Sequence, residues 1–298
     1  MTWSGPEVLL VREAGASGVR LRDQGALERV RRGAYVTRAA SAGPARDRRR
    51  LALARIRAAG AQLHLAHWFS HESAALLWGC DVVGLSGLVH VVQETRPHAR
   101  GGDPLVRHYG RLPAAHRAEV DGFPVTSLAR TVVDCAATLP ADRALVVADS
   151  ALRRGLDPAG VAGVVRSRAG TRGIARAREV LGAADGRAES PGETLVRWAV
   201  VSGGLPPPEP QVEVRTRRGV FRLDLGWRAP QVGLEFDGFV KYSGAFGSTA
   251  AEAVFAEKQR QDALEEEGWR ILRVTWGDLR DTERLVTRVR RALTGRGR

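Results

Sequence analysis

Three acidic residues near the C-terminal end carry the chemistry that reads most directly. Asp224 lies in the run Phe221-Arg-Leu-Asp-Leu-Gly-Trp227, and Glu235 and Asp237 lie in Gln231-Val-Gly-Leu-Glu-Phe-Asp237. Both runs are strand-like, so Glu235 and Asp237, two residues apart, share a face. Carboxylates held on neighbouring strands repel each other unless something positive sits between them. A hard divalent ion, Mg2+ or Mn2+, takes oxygen ligands. Such an ion activates water and stabilises a phosphoryl transition state. In a chain of formal net charge +13, the phosphodiester it would meet is nucleic acid. The rival reading of each acid is a strand carboxylate paired with an arginine. For Asp224 the candidates are Arg222 and Arg273, since a bare carboxylate among Leu223, Leu225 and Trp227 is costly.

Composition bounds the rest. The chain has 298 residues, 44% hydrophobic and 27% charged, which is a globular composition with material for a core in each half. Of 46 basic side chains, all but Lys241 and Lys258 are arginines, which fork onto phosphates bidentately. Residues 187–298 hold 19 basic and 16 acidic side chains, so most of the positive excess falls in residues 1–186. The nucleic-acid grip is therefore expected in the first part and the acidic site in the second. Cys80 and Cys135 sit in apolar runs without metal-ligand companions and read as buried free thiols of a reducing cytoplasm. Met1-Thr-Trp-Ser-Gly does not open a signal peptide. The most apolar stretch, 73–92, is broken by Asp81 and three glycines, too polar for a membrane span. The expectation is a cytoplasmic protein with no membrane partner.

The elements that must position these residues follow from caps and turns. Residues 6–38 read as a small basic helix-then-hairpin with Gly33 at its turn. This is a winged-helix-like segment in which Arg29, Arg31 and Arg32 would grip DNA phosphates; the plain alternative is a surface hairpin. Helices are expected over 46–59, 71–78, 141–154 and 158–165, and strands over 89–94 and 106–109. A strand turns into a helix across 122–135, capped by Thr126 or Ser127. His64, His67 and His71 are spaced at helical intervals, but carboxylate or cysteine companions are missing, so packing and surface roles are assigned to them. A Gly/Ala/Arg-rich stretch over 169–190 reads as a linker. Beyond it, Ser190-Pro191 opens a helix, with Glu193 completing a capping box. Strands over 211–216, 221–227 and 232–237, a helix over 249–266, a strand over 269–276 and a last helix give the order αβββαβα. The expected class is α/β. The expected domains are a winged-helix-like segment (1–40), a mixed α/β domain (41–186) and the acid-bearing domain (187–298).

That order, with the motifs Arg222-Leu-Asp-Leu-Gly-Trp227, Gly233-Leu-Glu-Phe-Asp-Gly238, Glu257-Lys-Gln-Arg-Gln-Asp-Ala-Leu264 and Gly268-Trp-Arg-Ile-Leu-Arg-Val-Thr275, resembles the PD-(D/E)XK nuclease superfamily. Within it, the resemblance is to the bacterial domains related to very-short-patch repair endonucleases. It implies a restriction-endonuclease-like fold and metal-dependent DNA hydrolysis. Asp224 and Glu235 would be metal ligands, with Asp237 as auxiliary ligand or base. Asp237 stands where the superfamily pattern has a lysine; Lys241 stands where related families have a histidine and would restore positive charge. Glu193 matches an acid of the first helix, although capping explains it fully. Lys258, and less so Gln261, match helix residues that reach the site in some members; an ion pair with Asp262 is the rival reading of Lys258. Arg31-Arg-Gly-Ala-Tyr-Val36, Ser70-His-Glu-Ser-Ala-Ala75 and the run 121–134 resemble the AbiEi-like antitoxins of type IV toxin–antitoxin systems. That second resemblance implies a DNA-binding regulator with a toxin or other protein partner, its nuclease-like domain catalytically silent.

Overall fold

The computed structural model describes residues 5–14, 25–96, 104–238 and 250–295; the side chains of residues 250–254 are not among those described. In chain order the elements are β1 (Leu9–Leu10), α1 (Val11–Ala14), β2 (Leu27–Arg31), β3 (Ala34–Thr37), α2 (Pro44–Gln62), β4 (Trp68–Phe69), α3 (His71–Leu77), β5 (Val89–Gln93) and β6 (Leu105–Tyr109). There follow β7 (Arg117–Val120), β8 (Phe123–Thr126), α4 (Leu128–Thr138), α5 (Ala141–Arg153), α6 (Pro158–Ser167), α7 (Ile174–Gly182) and α8 (Pro191–Ser202). The chain ends with β9 (Glu209–Thr216), β10 (Gly219–Trp227), β11 (Val232–Asp237), α9 (Ala250–Glu266), β12 (Arg270–Thr275) and α10 (Thr282–Thr294). The class is mixed α/β, and the second half runs αβββαβα. No helix among the described residues is long and apolar enough to cross a membrane.

The chain forms two compact units, residues 1–139 with 156–182, and residues 140–155 with 183–298. In the first, β1, β3 and β2 make a small sheet packed on the Ala54 and Ala58 face of α2. Gly33 takes φ 72 at the hairpin turn, a conformation that suits glycine. The larger sheet, in the order β6-β5-β4-β8-β7, buries Phe69, Val89, Val91 and Val125 against α2 and α3. Ser127 caps α4 through the Arg130 N–H, while Thr126 instead meets the Thr131 hydroxyl. Strands β4 and β7 were not expected, because two or four residues carry too little periodicity to announce themselves. The Gly/Ala/Arg-rich stretch contains a helix, α7, whose Ile174, Ala177 and Val180 are buried at helical spacing.

In the second unit the sheet order is β12-β11-β10-β9, antiparallel except for the parallel pair β11–β12. One face packs on α8 and α10 through Val196, Val200, Leu225, Leu234, Leu285 and Val289. The other packs on α9 through Val212, Leu223, Leu264 and Trp269. Leu223 and Leu225 have the same parity yet lie on opposite faces, so the alternation of β10 breaks at Asp224. Opposite it, Gln211 sits in the left-handed region at φ 56. Helix α5 belongs to this unit. Asp149 of α5 accepts from Arg197 and Thr194 of α8 and from the Asp185 N–H, although burial still raises its pKa and Arg197 Nε has no hydrogen bond.

Candidate functional site

The break in β10 creates the acidic cluster. Strands β10 and β11 pair from Leu225–Leu234 to Trp227–Val232 and then part. Beyond the parting, Asp224 takes over the role of a strand carbonyl: its Oδ2 accepts the Phe236 N–H at 2.8 Å. Phe236 is fixed by the first turn of α8. A Cβ on Gly192 would lie 2.1 Å from the Phe236 ring, so only glycine permits this approach. Ser190 caps α8 by accepting the Glu193 N–H, and the buried Glu193 carboxylate accepts from the Glu189 N–H and the Gln211 side chain. The reciprocal cap thus closes one residue earlier than the capping box expects, on Glu189 rather than on Ser190.

Asp224 lies close enough to Glu193 and Glu235 to feel their charge. Burial, followed by repulsion from Glu193 and Glu235, pushes the Asp224 carboxyl up to about 6; the Phe236 N–H and Arg260 oppose the shift. The positive group that this cluster demands is supplied by the protein. Arg260 of α9 clamps Glu235 with both terminal nitrogens, one of them 3.1 Å from Oε2, and also donates to the Arg222 carbonyl. Burial works against the guanidinium charge, but Glu235, Glu257 and Asp224 outweigh it and hold Arg260 firmly protonated. A cleft of about 180 Å³ opens beside this pair, lined by Glu235, Glu257, Arg260, Gln261, Leu264, Ile271 and Arg273. Its acids and arginines balance, and neither Asp224 nor Asp237 lines it.

The partners anticipated for Asp224 are engaged elsewhere: Arg222 pairs with Glu189 at 2.7 Å and Arg273 with Glu257. Asp237 is half-buried at the end of β11, beside Thr275 of β12. Lys258 and Gln261 are exposed on α9, and Gln261 donates to Glu265. Lys241 lies outside the described residues. Among the described residues, no three of Glu193, Asp224, Glu235 and Asp237 bring ligand oxygens within 4.8 Å of one another. With both Glu235 oxygens on Arg260 and one Asp224 oxygen on the backbone, this donor set does not fit a divalent ion, which needs several converging oxygens. The residue that sequence reasoning missed is Arg260. One signal was present: Arg260 and Leu264 are one helical turn apart, and Leu264 is buried under the sheet.

In the first unit, Arg29 and Arg32 of the hairpin are exposed, but Arg31 is buried with 9% exposure and is not available to a DNA phosphate as it stands. His64 and His67 precede α3 rather than continuing it.

Comparison with known proteins places these features. An uncharacterized protein of Mycobacterium tuberculosis strain CDC 1551 / Oshkosh is 34% identical over 233 residues, covering 74% of this chain and 79% of its own length; an uncharacterized protein of strain H37Rv matches equally. This chain belongs to one family with them. Residues 71–183 match the family described as the AbiEi antitoxin C-terminal domain. The AbiEi-like segment thus begins at α3 and ends just after α7, before the acidic cluster. No solved structure matches the chain.

Proposed function

We propose that this member of the family is a DNA-binding regulator of the antitoxin type, acting with a protein partner such as a toxin. Its C-terminal domain serves as a nuclease-like scaffold whose acidic cluster is closed by Arg260. The observation that carries this reading is the AbiEi-like segment at residues 71–183. The Arg260 clamp on Glu235 supports it: a fixed guanidinium neutralises the acids as a metal would, yet activates no water. Positive charge concentrated in residues 1–186, with Arg29 and Arg32 exposed on the hairpin, suits sequence-independent phosphate contacts.

A second reading, hydrolysis of DNA with Mg2+ or Mn2+, is favoured by one observation. Asp224 is raised to about 6 by burial and by neighbouring acids, the kind of strain a cation relieves. That reading requires Arg260 to leave Glu235 and the carboxylates of Asp224, Glu235, Asp237 and Glu193 to draw together, since as they stand they do not fit an ion; Lys258 and Lys241 would then steady the phosphate. One experiment separates the two. Duplex binding is followed by anisotropy over a salt series, and supercoiled plasmid is incubated with Mg2+ or Mn2+. The regulator binds in a salt-dependent way, and Arg29→Ala/Arg32→Ala lowers the slope of log K against log salt by about 2. It nicks no faster than Asp224→Ala/Glu235→Ala. Cleavage by the parent that this double variant abolishes would replace the first reading by the second.

A further inference from the structure

Three histidines that the proposed function does not use come together in the first unit. His71 opens α3, His90 lies in β5, and His108 lies in the edge strand β6. One ring nitrogen from each falls within 4.8 Å of the others, the only such group of three His, Cys, Asp or Glu among the described residues. His90 Nδ1 and His108 Nε2 are 3.1 Å apart, a hydrogen-bonded pair whose shared proton an ion would displace. Nitrogen ligands about 2.05 Å from a tetrahedral Zn2+ sit about 3.3 Å from each other, so this pair is already at ligand spacing. The His71 ring stacks on that of His108, centroids 3.8 Å apart and planes 17° from parallel, so one of the two rings turns when both lone pairs meet one ion.

The surroundings are those of a ligand set. His71 Nδ1 meets Ser70 Oγ at 3.0 Å, which leaves Nε2 as the lone pair it can offer. His90 Nε2 is buried without a hydrogen bond, and Glu72 Oε2 lies 3.6 Å from it. Glu72 is itself held by the Ser86 hydroxyl at 2.8 Å, an arrangement like the carboxylate that orients a metal-bound imidazole from behind. Neutral imidazole is the form that binds metal. The arginines nearest the cluster, Arg130 and Arg168, are both tied to Asp134. His71 also sits at φ 51, a strained conformation for a residue with a side chain, and such strain collects at ligand sites.

We propose that His71, His90 and His108 bind one transition-metal ion of the zinc class, with a fourth position open to water. The ion would fasten the start of α3 to the β5–β6 edge of the sheet, inside the AbiEi-like segment. Cys80 and Cys135 take no part.

The test uses the full chain, stripped with a chelator and dialysed. Zn2+ alone is titrated against a chromophoric competitor, and Co2+ is added separately to read coordination geometry from its visible absorption. The expected result is one ion per chain, a tetrahedral Co2+ band, and a melting temperature that rises with Zn2+ concentration. His90→Gln/His108→Gln weakens binding by at least about 100-fold, since losing a supporting partner alone costs 10–100-fold. His64→Gln leaves it unchanged. Should the double variant melt early without metal, His108→Gln alone gives the reading, because that ring is half-buried on an edge strand. Absence of saturable one-to-one binding, or equal affinity in the His108→Gln variant, overturns the site.

Discussion

Asp224 shows how one carboxylate can serve folding and still resist it. Its Oδ2 closes the backbone where β10 and β11 part, but burial and its acidic neighbours raise its pKa from 3.8 to about 6. A raised pKa means that the folded state holds the proton more tightly than the unfolded chain. Between those two values the folded state therefore binds more protons, and stability falls as pH rises. The stabilising contribution of the protonated form is complete below about 3.8 and lost above about 6. Asparagine keeps an acceptor for the Phe236 N–H and cannot ionise. Asp224→Asn should raise stability by about 1–3 kcal/mol at pH 8, the discounted worth of about two pKa units at a half-buried site. At pH 4 the gain should shrink towards zero. Urea unfolding of parent and variant at both pH values checks this; a gap of equal size at pH 4 and pH 8 would contradict the charge argument. The acidic residues themselves were legible in the sequence, because their types and strand parity announce them. Their partner was not, because Arg260 lies 25 positions beyond Glu235 and reaches it only once α9 folds back over the sheet.

Elements were read well where their signals are local. Ser190 and Pro191 open α8, Gly219 and Gly268 take positive φ beside their turns, and the αβββαβα order follows from such marks. Strands β4 and β7 escaped because they exist by pairing with β5 and β8, a non-local fact. The histidines obey the same rule. His64, His67 and His71 have helical spacing, yet only His71 lies in a helix, and two strands bring His90 and His108 near it. Depth between elements is another non-local quantity, and Gly192 sets it. Phe236 presses where a Cβ at residue 192 would stand, so the start of α8 can approach β11 closely. Gly192→Ala should cost about 1–3 kcal/mol by overpacking. Combined with Phe236→Leu, it should cost less than the sum of the two single changes, since a smaller side chain frees the space. A double-mutant cycle in urea reads this coupling directly; strict additivity would mean that α8 is positioned by something else.

At the scale of the whole molecule, chain order and spatial order differ. A linear reading puts a boundary near residue 186, because a stretch rich in Gly, Ala and Arg looks like a linker. The compact units instead interleave: residues 140–155 pack with 183–298, while 156–182 pack with the first unit. Helix α5 reads as an ordinary amphipathic helix, and nothing local in it says which core it joins; the Asp149–Arg197 pair, 48 positions apart, decides the matter. Arg197 is buried at 7% exposure, and removing its partner leaves an uncompensated charge, at a cost of about 3–5 kcal/mol. A fragment of residues 187–298 should therefore be unfolded, or far less stable than one of residues 140–298, although it carries the entire αβββαβα order and every acidic residue of the candidate site. Asp149→Ala within residues 140–298 should reproduce much of the deficit, whereas Arg187→Ala, which breaks only an exposed pair with Asp185, should shift stability by less than about 1 kcal/mol. Circular dichroism and urea midpoints of the two fragments and the two variants test this. Equal midpoints for the fragments would show that the second unit needs neither α5 nor its buried carboxylate.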